Sequence, residues 1–274
     1  MNLSEERLAE VKDYREKELD YIIKYKRIYA VFQPIISLRN GQVLGYEALS
    51  RLKENTVIKD AETLFCLAGE YQRMWDLESL CRIKSLEAAN TYLKPPYNKK
   101  IFINVNPKVM HDKKFRDGFT REFLEKFHIT PENIIFEITE RNAIQDIESF
   151  KGVIEHYKKQ YYQIAIDDAG AGYSGLTLIS DIHPHFLKID MKLIRDIDKD
   201  HIKYALVKSL IEFSQITNTD LIAEGIETKE EMKTLVSLGV QYGQGYLIQK
   251  PEETIREISP LILHYISTLN KANF

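Results

Sequence analysis

Cysteine is scarce in this chain of 274 residues: only Cys66 and Cys81 occur, and neither stands in a C-x-x-C or Cys/His spacing. That excludes a disulfide framework and a structural zinc site, and leaves both as reduced packing residues. No apolar run approaches the ~20 residues that span a bilayer, and nothing resembles a signal peptide, so no membrane segment is expected and the expected compartment is the cytoplasm. Positive charge is not in excess either. With 38 Lys and Arg against 41 Asp and Glu, the formal charge of -3 argues against a general electrostatic hold on DNA or RNA. Any nucleotide must be gripped locally. Internal repeats, low-complexity tracts and Pro/Gly/Ser linkers are missing too. The expected organisation is a helix or connector at residues 1–28 followed by one unit over 29–274.

What is present alternates regularly. In the first 28 residues Ser4 is placed as an N-cap before Glu5 and Glu6, and Val11, Tyr14, Tyr21, Tyr25 and Ile28 fall near helical spacing. This predicts a helix with one apolar side, serving as a lid on the domain or as a connector or dimerisation helix. From Tyr29 onward, short runs rich in β-branched and aromatic residues predict strands at 30–33, 43–47, 101–104, 134–138, 163–167, 186–189, 221–223 and near 240–242. Amphipathic segments between them predict helices at 61–90, 115–127, 147–160, 202–215 and 229–238. The Asn40-Gly41 pair between the first two strands is a hairpin signal, so these two are expected to be antiparallel. The remainder repeats β then α, which predicts an α/β fold of the (β/α)8 barrel type.

Polar residues collect at the strand ends. Reading each strand to its C-terminal end gives Glu47, Asn104, Glu137, Asp167 with Asp168, Lys188 with Asp190, Glu224 and then Gln244. In a parallel barrel all these ends meet at one mouth, where barrel enzymes keep their active sites. The acids and the asparagine are all oxygen donors, the ligand type of hard cations such as Mg²⁺ or Mn²⁺. The adjacent pair Asp167-Asp168 is the strongest single signal, because two neighbouring buried acids are costly unless paired or bound to a cation.

Two other readings compete. Gly170-x-Gly172-x-x-Gly175 with Asp190 twenty residues on matches the dinucleotide fingerprint, but Asp167 and Asp168 would repel a pyrophosphate and Leu176–His183 is short for the crossover helix. Carboxylates and a lysine around Mg²⁺ also describe an enolase-type proton abstraction. The number of acids, enough for two metals, and Arg51 near Glu47 as a bidentate phosphate donor favour metal-assisted phosphoryl hydrolysis instead.

Eight motifs then carry a resemblance. Gln33-Pro34-Ile35, Glu47-Ala48-Leu49-Ser50-Arg51, Ile103-Asn104-Val105-Asn106-Pro107, Glu137-Ile138-Thr139-Glu140, Asp167 to Gly175, Leu187-Lys188-Ile189-Asp190, Ala223-Glu224-Gly225-Ile226-Glu227 and Gln244-Gly245-Tyr246-Leu247 occur in order over residues 29–251. In this the chain resembles the EAL family of cyclic di-GMP phosphodiesterases. The resemblance implies a TIM-type barrel with its first strand antiparallel, a signalling hydrolase of cyclic di-GMP yielding linear 5′-pGpG, and a homodimer. It implies that Glu47, Asn104, Glu137 and Asp167 bind one Mg²⁺ or Mn²⁺ ion and Asp167, Asp168 and Glu224 a second. Lys188, Glu224, Glu140 and Gln244 would serve the chemistry, with Lys188 beside the attacking water and Glu140 bracing the Asp167 loop; Gln33, Arg51, Asp190 and Glu227 would meet the substrate. The sequence departs from the family pattern at Ala169, Ala171 and Gly175, none of them a metal ligand, which predicts a more mobile loop there.

Overall fold

The structure is a computed structural model and describes residues 3–54, 56–139, 147–169, 179 and 181–272. Glu140 and the loop Gly170 to Gly175 lie outside the described residues. Eight strands close into a barrel in sequence order: β1 (Ile28–Ser37), β2 (Val43–Leu52), β3 (Lys100–Asn104), β4 (Ile134–Thr139), β5 (Gln163–Ala169), β6 (Phe186–Ile189), β7 (Asp220–Ala223) and β8 (Tyr242–Gly243). β1 runs antiparallel to both neighbours, β2 and β8, while every other pairing is parallel. The antiparallel opening predicted from Asn40-Gly41 is therefore observed, and both hairpin strands are longer than the sequence suggested.

Side chains alternate along a strand, so every second residue faces the barrel axis. Ile35, Phe102, Ile135, Ala165, Phe186 and Ile222 form one buried cluster separate from the main core, closed by the edge-to-face pair Phe102–Phe186 at 5.3 Å. This is the apolar floor of the barrel interior. Two residues beyond it on β3 to β7 stand Asn104, Glu137, Asp167, Lys188 and Glu224, while on the reversed β1 the partner, Gln33, comes two residues before Ile35. The polar residues are thus the next inward layer above a packed floor. Gly45 lets β2 join it: a Cβ there would lie 2.3 Å from the Lys100 carbonyl oxygen, so only glycine allows β2 and β3 to approach.

Among the described residues the α-helices are α1 (Leu3–Lys24), α2 (Ala61–Glu70), α3 (Met74–Ala89), α4 (Phe119–Phe127), α5 (Ile147–Lys158), the short α6 (Met191–Ile194), α7 (His201–Thr217), α8 (Lys229–Leu238) and α9 (Pro260–Ala272). The single helix predicted over 61–90 is a correction: it breaks into α2 and α3 at Tyr71–Arg73, where Gln72 takes a left-handed φ of 55°. Apolar periodicity continues across the break without a proline, and Arg73 holds the corner by pairing with Asp20 of α1 and, at 3.0 Å, with Asp76. α9 was not predicted. Leu19 and Ile22 of α1 are fully buried against Ile28, Ile58, Leu64 and Leu67, whereas Val11, Tyr14, Tyr21 and Tyr25 are exposed. Among the described residues no helix is long and apolar enough to cross a membrane.

One buried ion pair ties α3 to the barrel wall. Arg82 and Glu78 meet at 2.6 Å with both side chains nearly inaccessible. Arg82 also donates to Thr120 Oγ1 at 2.8 Å and lies 4.9 Å from the Phe136 ring centroid, while Glu78 accepts from the Asn106 N–H at 3.1 Å. Burial pushes the Glu78 carboxyl up, and the Arg82 charge and the Asn106 N–H pull it back.

Candidate active site

Lys188 is the centre of the polar layer. Its Nζ lies 2.7 Å from Glu224 Oε1, 2.8 Å from Glu137 Oε1, 3.3 Å from Asp167 Oδ1 and 3.5 Å from Glu47 Oε2. Amide side chains cross-link the same acids. Asn104 Nδ2 donates to Glu47 Oε1 and Glu137 Oε2, each at 3.3 Å, and Gln244 Nε2 donates to Glu47 Oε2 at 2.7 Å and to Glu224 Oε1 at 3.0 Å. Acids spread from position 47 to 224 therefore converge on one ammonium, and Asn104 and Gln244 link them to one another.

Adjacent residues of a regular strand point to opposite faces, which would place Asp167 and Asp168 apart. β5 avoids this by an irregularity. Its register with β6 slips between Ile166 and Ala169, and Asp168 adopts a left-handed φ of 58°. Carboxylate oxygens of Asp167, Asp168 and Glu224 consequently lie within 4.8 Å of one another. Aspartate tolerates this backbone region better than most residues, so the two acids can share a side at modest strain.

The electrostatics are unbalanced. One ammonium has three N–H groups and one charge, too few for four carboxylates. Glu137 Oε1 and Asp167 Oδ1 are buried, and neither has a hydrogen-bond partner besides the nearby Lys188 ammonium. Burial pushes the Glu137 carboxyl well above its usual range; Lys188 opposes this, and Glu47 and Asp167 add to it. Glu224 is raised by burial and by Asp167 and Glu47, again against Lys188. For Lys188 burial favours the neutral amine, but the surrounding carboxylates outweigh it and hold the ammonium well above its ordinary value. A set of oxygen donors with this surplus of negative charge suits divalent hard cations.

Two cavities flank the cluster. One of about 770 Å³ is lined by Gln33, Asp190, Glu224, Glu227 and Gln244, which sequence reasoning had named, and by Arg195, which it had not. The other, of about 630 Å³, is lined by Arg51 and Asn104 together with the buried Glu78 and Arg82. Gln33 is buried and donates to the Gln249 carbonyl at 3.2 Å. Asp190 caps α6 through the Lys192 N–H at 2.8 Å, and Glu227 pairs with Arg195 at 2.8 Å. Arg51 stands four residues past Glu47 on β2 and donates to the Ser50 carbonyl at 2.9 Å, beside the carboxylates and not among them.

The EAL domain family matches residues 16–251. The chain belongs to the EAL family. Within it, the chain is 29% identical over 252 residues to cyclic di-GMP phosphodiesterase PdeF of Escherichia coli, covering 89% of this chain and 33% of that protein. It is 32% identical over 225 residues to the probable cyclic di-GMP phosphodiesterase PdeA of the same organism, covering 80% of this chain and 30% of that one. The EAL chain here thus spans about a third of the length of these relatives. Among solved structures, a standalone EAL protein of Vibrio cholerae in its c-di-GMP bound form aligns with TM-score 0.74 at 30% identity, over 85% of this chain and 96% of that one. Klebsiella pneumoniae BlrP1 in a manganese/cy-diGMP complex aligns with TM-score 0.77 at 27% identity, over 85% of this chain and 58% of that one.

The motifs run over residues 29–251, and Arg195 is among the cavity-lining residues that they do not include. It follows strand β6 by six residues, after α6, and no strand-end rule reaches that far. The signal that was available is Glu231 at the third position of α8 after Thr228, a capping-box spacing that marks where a loop is held.

Proposed function

We propose that this EAL chain is a metal-dependent phosphodiesterase that opens cyclic di-GMP to linear 5′-pGpG. The observation that carries the reading is the convergence of Glu47, Glu137, Asp167 and Glu224 around Lys188, with Asn104 bridging two of them and Asp168 beside Asp167 and Glu224, a set of carboxylates that one ammonium charge cannot balance. The relatives named as cyclic di-GMP phosphodiesterases, and the solved EAL structures holding that nucleotide, support the choice of substrate.

Glu47, Asn104, Glu137 and Asp167 would hold one divalent cation, Mg²⁺ or Mn²⁺, and Asp167, Asp168 and Glu224 a second. Two such ions, when bound, lower the pKa of a water and stabilise charge that develops on phosphate oxygens. The chain's own groups do the rest. Lys188 places a positive charge among the same carboxylates, where it would orient the attacking water and stabilise the negative charge that grows during displacement. Gln244 fixes Glu47 and Glu224 by its two hydrogen bonds, and the family resemblance implies that Glu140, outside the described residues, would brace the Asp167 loop. Gln33, Arg51, Asp190 and Glu227 line the flanking cavities and would receive the nucleotide halves.

The test is incubation of purified protein with cyclic di-GMP and Mg²⁺ or Mn²⁺, followed by chromatography of the products. Linear dinucleotide supports the reading; binding without turnover under both metals overturns it in favour of a nucleotide receptor. A second expected result is thermal: at about 100 times its dissociation constant, either cation should stabilise the protein by about 2.7 kcal/mol. Differential scanning fluorimetry reads this as a rise in Tm that EDTA reverses, and no shift with either ion would mean the carboxylates hold no metal. We also infer a homodimer that uses the exposed Val11 and Tyr14 of α1. Light scattering should give a dimer mass that a Val11→Glu, Tyr14→Glu variant halves; deleting residues 1–28 is the wrong test, since it removes the buried Leu19 and Ile22.

A further inference from the structure

Glu231 is buried, yet its carboxylate is not among those gathered around Lys188. Its position is the third of α8, where a capping box needs one acceptor for the Thr228 N–H, and that bond is present at 3.0 Å. The carboxylate does more than cap. Oε2 also accepts from the Glu227 N–H at 2.9 Å, and Oε1 reaches across to the neighbouring loop, accepting from the Asp196 N–H at 3.2 Å and from Arg195 Nη1 at 3.4 Å. Three backbone donors and a guanidinium overcome the cost of burial and hold the acid below the usual carboxylate range. Asp196 takes a left-handed φ of 57°, a strained conformation that its bond to Glu231 supports.

The loops joined in this way are the ones that follow β6 and β7. The first carries Arg195 and the second carries Glu224 and Glu227. Arg195 Nη2 in turn meets Glu227 Oε1 at 2.8 Å, and both side chains line the 770 Å³ cavity beside the metal cluster. We propose that Glu231 is a positioning residue, which locks Arg195 and Glu227 into one rigid pair on the cavity wall and so sets how tightly the part of the nucleotide remote from the cations is held. This rests on the phosphodiesterase reading for its substrate. The clamp touches groups that bind and not groups that react, so its loss should appear in KM more than in kcat.

Glu231→Gln separates the two jobs of the carboxylate. The remaining carbonyl oxygen can accept from Glu227 and Thr228 and keep the helix cap, whereas the new NH₂ group faces two donors, the Asp196 N–H and Arg195. Thr228→Ala is the control that weakens the cap alone. We expect Glu231→Gln to raise KM for cyclic di-GMP about tenfold with kcat within about threefold of wild type, and to speed hydrogen exchange of the Asp196 amide. Thr228→Ala should lower Tm and leave KM unchanged. A wild-type KM in Glu231→Gln, a fall in kcat alone, or an equal rise of KM in both variants overturns the proposal. Should the wild-type protein bind cyclic di-GMP without turnover, the activity reading fails by itself, and the clamp is judged by the dissociation constant: a rise of about tenfold in Glu231→Gln supports it and no change removes it.

Discussion

Asp167→Ala is expected to lower the turnover of cyclic di-GMP by about 10³-fold or more, the scale on which removing a group central to transition-state charge stabilisation operates. Asp167 is the acid common to both proposed cation sites. Its Oδ1 lies 3.3 Å from Lys188 Nζ, and a carboxylate oxygen of the same residue lies within 4.8 Å of Asp168 and Glu224, so its loss takes a donor from both sites at once. The loss should not be one of folding. Removing one carboxylate from a crowded set relieves repulsion, and the metal-free Tm of the variant should equal or exceed that of the wild-type protein while the Tm rise with Mn²⁺ shrinks. Steady-state rates of the linear product, with Tm measured in EDTA and in Mn²⁺, check both halves. Near-normal turnover would mean that the site is misassigned.

The largest effect on stability is expected from Arg82→Ala, at about 3–5 kcal/mol, the cost of leaving a buried charge without its partner. Glu78 would lose its 2.6 Å ion pair, and Thr120 and the Phe136 ring would lose their contacts with the guanidinium. Urea denaturation measures the loss directly. The double variant Glu78→Gln, Arg82→Met tests its cause: if the penalty comes from an orphaned charge, the pair of changes costs less than Arg82→Ala alone. An additive result would assign the loss to packing.

Much of the candidate site was legible because its rule is local. Strand C-terminal ends carry it, and the pattern of one apolar inward residue followed two positions later by a polar one, as in Phe102 and Asn104 or Ile135 and Glu137, can be read directly along the chain. The pairing of Asp167 with Asp168 could be noticed but not understood in sequence, because strict alternation forbids it. A register slip and one left-handed residue resolve the conflict; aspartate tolerates that backbone but does not announce it. The break between α2 and α3 escaped for a similar reason, since Gln72 is not a residue that announces a left-handed corner. Partnerships over long separations, such as Arg82 with Thr120 or Glu231 with Asp196, depend on which helices the barrel brings together. Periodicity says which face is apolar, and says nothing of which charged residue within that face finds a mate.

The reversed direction of β1 changes where the polypeptide arrives. In a barrel of uniformly parallel strands the first strand starts at the floor end, away from the catalytic mouth. Here Ile28 pairs with Leu52, five residues beyond the level where Gln33 faces Glu47, or about 17 Å at strand spacing. The chain therefore enters from above the mouth. α1 comes down beside the tip of the β1–β2 ribbon and seats Leu19 and Ile22 against α2 and α3, the helices whose side chains Phe65, Glu78 and Arg82 wall the cavity next to Arg51. The helices that seat α1 and the helices that wall this cavity are therefore the same two, and α1 adjoins the rim of the mouth from outside the barrel.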